Sequence, residues 1–189
     1  MAAGRSKDVG FIVLVSGPAV KGDALMRAQL EAISRAEGKS EAEVQRLSAL
    51  QARSFRVTRT GEGAEELVAE AHKETLAALE KLPAEQQKAM GDLGQFADRA
   101  VKGEMALIRS PWFRFFLDYD PAEALAQVRC PVLALFGEKD LQVPAEMNRK
   151  AMEAALGRAG NKRMTLRVLP GANHLFQPAK TGSPSEYAS

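Results

Sequence analysis

The sequence predicts an α/β fold, a parallel sheet of three strands interrupted by a large helical insertion. Three observations carry that expectation. Short, continuous apolar runs stand at Val9–Val15, Val132–Phe136 and Met164–Leu169, the pattern of strands buried on both faces of a parallel sheet. The second and third are joined by a helical pattern over Ala145–Leu156, the kind of crossover that parallel strands require. Between the first and second, from Asp23 to about Arg109, the pattern is helical throughout. The expected division is residues 1–21 with 117–189 for the sheet and 22–116 for the helical block.

The first run, VGFIVLV, is β-branched and apolar on both faces, and Ser16-Gly17-Pro18 closes it with loop chemistry. Ser16 thus stands at a strand's carboxyl end, where catalytic groups of α/β sheets sit. A nucleophile elbow needs a small residue two positions before the serine and a helix directly after it. VSGPA has neither, so Ser16 reads as a loop residue. Ser6 fails as well, because no strand precedes it and Asp8 replaces the second glycine.

In the helical block, Asp23 is placed to cap a first helix with Leu25, Met26, Leu30 and Ile33 on one stripe, ended by Gly38. Ser40 with Glu43 makes a capping box for the next, which Gly61 and Gly63 interrupt. A third helix runs from Ala64 to Lys81 and stops at Pro83, and further helical segments fill Gln86–Arg109. His72 lies beside an apolar stripe with no acid or thiol at ligand spacing, and reads as a surface or hydrogen-bonded histidine. Trp112, Phe113, Phe115 and Phe116 form the densest aromatic cluster. Trp112 and Phe116 are the candidates for a substrate wall, with a packing hinge as the plainer alternative. Asp118 and Asp120 precede a short helix rather than follow a strand, so both read as caps.

The chemistry concentrates in Arg129–Pro144, RCPVLALFGEKDLQVP. Pro131 opens the apolar run, Gly137 ends it, and Glu138-Lys139-Asp140 puts three charged side chains just past the strand's carboxyl end. Ligands and catalytic groups of open α/β sheets occupy that position. After the third run, the loop Pro170-Gly-Ala-Asn-His174 delivers a histidine to the matching end. An acid and a histidine, each after a parallel strand, form the back half of a Ser…Asp…His order. The plain alternatives are a helix cap for Asp140 and a loop donor for His174.

Composition excludes several other classes of function. With 26 basic and 24 acidic residues the net charge is only +2, and no basic face with interleaved aromatics appears, so nucleic acid is not an expected partner. The longest apolar run, Phe11–Val15, is far below the ~20 residues of a membrane span. The start of the chain, MAAGR, has no hydrophobic signal core, and the expected location is cytoplasmic. The single Cys130 allows no internal disulfide and reads as a buried packer at a strand edge. Two histidines and one cysteine, far apart in spacing, form no metal constellation, and no cofactor is implied.

FGEKDLQVP followed by LPGANHLFQ resembles the C-terminal half of an α/β-hydrolase, specifically the capped serine-esterase and peptidase-like members. The resemblance extends back over RSKDVGFIVLVSGPAV and SPWFRFFLDYDPAEAL. It implies that Asp140 is the acid after strand seven, that His174 is the base after strand eight, and that the helical block is the cap. It implies a serine hydrolase of carboxylic esters, thioesters or acyl-peptides. The family's nucleophile elbow would fall upstream of Arg5, so the resemblance also implies an incomplete chain with little activity of its own. A competing expectation is a non-catalytic binding module derived from such a hydrolase. A third is that a partner chain supplies the packing of the missing residues. Without the family's neighbouring strand and covering helices, FIVLV becomes a free edge and one sheet face stays bare, which predicts a homodimer.

Overall fold

The computed structural model describes residues 2–187. In chain order the elements are β1 (Ile12–Val15), α1 (Gly22–Ala36), α2 (Glu41–Thr60), α3 (Ala64–Leu79), α4 (Ala84–Met90) and α5 (Leu93–Ile108). They continue with α6 (Pro111–Asp118), α7 (Pro121–Leu125), β2 (Val132–Gly137), α8 (Ala145–Arg158) and β3 (Met164–Leu169). The three strands form one parallel sheet in the order β1-β2-β3, with Val13 opposite Leu133 and Leu133 opposite Thr165. The α/β class and its three parallel strands are as the sequence predicts.

The chain divides into two compact units. One takes the chain up to Ser48 and again from Asp118, and the other is Ala49–Leu117. The helical unit is therefore shorter than residues 22–116, because α1 and the start of α2 cluster with the sheet.

In the sheet unit, Val132, Ala134 and Phe136 of β2 are buried with Leu125, Val128, Met152, Ala155 and Leu156. Ile12, Leu14, Met164 and Leu166 pack against this cluster from the flanking strands. Successive side chains of a strand point to opposite faces, so these positions share the face that α7 and α8 cover. The other face is open, a correction to the expectation of strands buried on both sides. Val13 and Val15 are 46% and 58% exposed, Leu133 36% and Phe11 69%. The free edge of β1 and the bare face expected from the sequence are both present among the described residues. β1 is also shorter than Val9–Val15, since its ladder begins only where Ile12 N–H donates to Pro131 O at 3.0 Å.

Two buried asparagines hold the sheet's connections. Asn148 on α8 accepts from Ala19 N–H at 2.9 Å and donates to Pro144 O, fixing the loop after β1 against the crossover helix. Asn161 donates to Val128 O and Cys130 O and accepts from Arg163 N–H, which aligns the entrances of β2 and β3. Cys130 is half-buried against the core rather than fully buried, and has no disulfide.

Some helix starts carry the side-chain caps that the sequence suggests, and others do not. Ser40 and Glu43 form the reciprocal capping box, the Ser40 amide and hydroxyl donating to Glu43 Oε2 at 2.9 and 2.7 Å. Asp120 caps α7 through Ala122 N–H at 2.9 Å. Asp23 is not the cap expected of it: Lys21 holds that position, and Asp23 lies inside the first turn, accepting from Ala24 N–H. In the helical unit, α3 packs on α5, burying Leu67, Ala97, Val101 and Met105. Phe55 meets Phe113 edge-on at 6.4 Å. No helix among the described residues is long and apolar enough to cross a membrane.

Candidate active site

The buried strand β2 ends at Gly137, and its glycine is a spatial requirement. A Cβ there would lie 2.4 Å from Ala172 O and 2.5 Å from Asn173 O. The loop after β3 thus crosses directly over the end of β2. Lys139 N–H donates to Ala172 O at 2.8 Å, Glu138 N–H to Leu169 O at 3.0 Å, and Gly171 N–H to Glu138 Oε2 at 2.8 Å. Acid loop and histidine loop are stitched into one body.

Asp140 lies at the centre of that body, its side chain fully buried. Oδ1 accepts from Gln142 N–H at 2.9 Å and Val143 N–H at 2.8 Å, the aspartate turn that leads into α8. Oδ2 lies 3.0 Å from His174 Nδ1. A carboxylate only accepts, so Nδ1 is the donor, and in the neutral imidazole the lone pair is then on Nε2. The imidazole is 28% exposed, while the carboxylate that orients it is fully buried. Sequence reading singled out both residues, and the fold brings them together.

No family model matches the chain, and no curated protein matches it. The geometry alone carries the functional argument.

Several residues that position the pair were missed by the sequence reading. Asn173 is fully buried; its Oδ1 accepts from Leu175 N–H at 2.9 Å and Gln177 N–H at 3.0 Å. Its own N–H donates to Gln177 O, and Phe176, in the left-handed region at φ 59°, donates to Asn173 O. The histidine loop therefore closes around Asn173. Its position directly before His174 was the available signal, because asparagine side chains hydrogen-bond their own backbone in turns.

Residues 178–187, rich in Gly, Ser and Pro, form a strap. Glu186 accepts from Lys180 N–H and Thr181 N–H, both at 3.0 Å, from Thr181 Oγ1 at 2.6 Å and from Gly182 N–H at 3.3 Å. The Thr181 hydroxyl, and then these backbone amides, push the Glu186 carboxyl down to about 2. Gly182, at φ 81°, is buried so closely on Lys139 that a Cβ would lie 1.9 Å from its carbonyl oxygen. Gln142 Nε2 donates to Tyr187 Oη at 3.0 Å. The strap thus lies on the loop that holds Asp140.

The other candidates fall elsewhere. Ser16 follows β1 with φ 44°, and its buried Oγ has no hydrogen-bond partner among the described residues. Ser6 shares a local turn with Asp8. Trp112 and Phe116 stack on each other at 5.6 Å and 11° on α6, in the helical unit, with Trp112 61% exposed. His72 Nε2 lies 3.2 Å from Asp98 Oδ1, a paired histidine with its acid on another helix. Asp118 is the last residue of α6. No group of three potential metal ligands occurs among the described residues.

Proposed function

We propose that Asp140 and His174 form the orienter and base of a hydrolase centre of the α/β-hydrolase kind, acting on carboxylic esters, thioesters or acyl-peptides. The observation that carries this reading is the His174 Nδ1 to Asp140 Oδ2 contact of 3.0 Å. It leaves Nε2 free at the carboxyl end of a parallel sheet. In such a centre Nε2 takes the proton of a hydroxyl or water as its oxygen attacks the acyl carbon. The carbonyl π electrons move onto oxygen, and Asp140 stabilises the imidazolium so formed. The proton then passes from Nε2 to the leaving oxygen, sulfur or nitrogen as its bond to the acyl carbon breaks. No cofactor enters these steps.

A second reading, a non-catalytic binding module, is favoured by one observation. Among the described residues no hydroxyl or thiol hydrogen-bonds His174, so the dyad holds no nucleophile. Hydrolysis of p-nitrophenyl acetate, with a fluorophosphonate probe alongside, separates the two. The hydrolase reading expects slow turnover above buffer that falls roughly tenfold or more in His174→Ala and is unchanged in His72→Ala. Equal rates in wild type and His174→Ala would overturn it in favour of the binding module. Fluorophosphonate labelling of a serine would identify a nucleophile.

A further inference from the structure

The helical unit carries a groove of its own between α3 and α5. Its volume is about 660 Å³, within the range of roughly 300–1,000 Å³ typical of small-molecule sites. Its floor is apolar, with Val68 from α3 and Val101 and Met105 from α5, the last two only 4% and 6% exposed. Lys102 and Arg109 stand exposed at its rim, and neither has an acid partner among the described residues. Asp98, one turn before Lys102 on α5, is the natural partner for that lysine. Its carboxylate faces His72 across the helix pair instead, 3.2 Å from Nε2.

Cations are usually placed beside acids, and apolar helix faces are usually covered. Here Lys102 on α5 and Arg109 at its C-cap, neither with an ion-pair partner among the described residues, border one side of an apolar trough that Asp98 also lines. The ligand that satisfies both has an apolar body for the floor and one anionic head for the rim. We propose that this groove binds a single-chain acyl carboxylate of medium length, with the chain over Val101 and Met105 and the carboxylate between Lys102 and Arg109. The groove is lined by residues of the helical unit alone, and the inference stands whether or not the Asp140–His174 pair is catalytic.

The probe is decanoate below its micelle concentration, added to the full chain labelled with ¹³C at the methionine methyls. The Met105 methyl should shift saturably, while Met152 in the sheet unit stays in place. Decanol, with the same chain and no charge, should bind roughly tenfold more weakly, as should decanoate to Lys102→Glu/Arg109→Glu, where like charges now face the head. Ala69→Trp, at an exposed position lining the groove, should abolish the Met105 shift with the circular dichroism unchanged. No saturable Met105 shift, or one equal for decanol and for the charge-reversed protein, would overturn the proposal. The exposed face of the sheet could also attract decanoate, but that would leave Met105 unmoved and so count against it.

Discussion

Gly137 and Asn173, one ending β2 and the other in the loop after β3, touch so closely that a Cβ on the glycine would sit 2.5 Å from the Asn173 carbonyl oxygen. The approach is backbone on backbone, and no flexible side-chain end can yield. Gly137→Ala should therefore lift the histidine loop and cost about 3 kcal/mol, the upper range for overpacking. Urea denaturation measures the cost. A variant as stable as wild type would show that the two loops are less tightly joined than the structure has them.

The Glu186 carboxyl, held near 2 by Thr181 and the neighbouring amides, gives the strap an acid limit. The folded value is depressed below the ordinary 4.5, so the contribution is complete above about 4.5 and lost as pH falls through about 2. The Thr181 amide resonance should titrate with a midpoint near the lower value. Glu186→Gln should shift that resonance at neutral pH and abolish the titration. A midpoint near 4.5 would mean the strap does not hold the carboxylate.

How much of this was legible in the sequence differs by element. Strands β2 and β3 announce themselves, because Pro131 and Gly137 bound the apolar run VLALF and both strands are rich in aliphatic residues. Asp140 and His174 follow from position after those strands. The strap was not legible, since Gly182 and Glu186 act through contacts with Lys139 and with each other that no local pattern encodes. Asp23 misled because an aspartate in the first turn and one at the cap look alike in sequence; the backbone entrance at Lys21 decides between them. The open sheet face was expected only through the family resemblance and not from VGFIVLV itself, because an apolar strand looks the same whether one face or both are covered.

Ser16 holds a buried hydroxyl with no hydrogen-bond partner among the described residues, so Ser16→Ala removes an unsatisfied polar group. Stability should hold or rise by about 1 kcal/mol, and ester hydrolysis should not change. Turnover abolished in Ser16→Ala would make Ser16 the nucleophile, with its left-handed backbone as the elbow.

The free edge of β1 presents unpaired N–H and C=O groups beside exposed Phe11, Val13 and Val15. Only another strand satisfies such an edge along its length. A second copy, pairing β1 with β1 about a two-fold axis, would do so and narrow the bare face. Sedimentation at micromolar concentration should give about twice 20.4 kDa. Val13→Lys, placing a charge on the exposed face at the edge, should return the monomer. A wild-type monomer would contradict this arrangement.

In the proposed centre Asp140 fixes the neutral His174 imidazole with its proton on Nδ1 and its lone pair on Nε2. Imidazole ¹⁵N NMR at about pH 8, above the ordinary imidazole range, reads this directly. The Nδ1–H tautomer should dominate at His174 in the wild type. In Asp140→Asn, whose side-chain oxygen can still accept from Gln142 and Val143 N–H, that preference should disappear while the fold persists. A dominant Nε2–H tautomer in the wild type, or a tautomer balance that Asp140→Asn leaves untouched, would contradict the account.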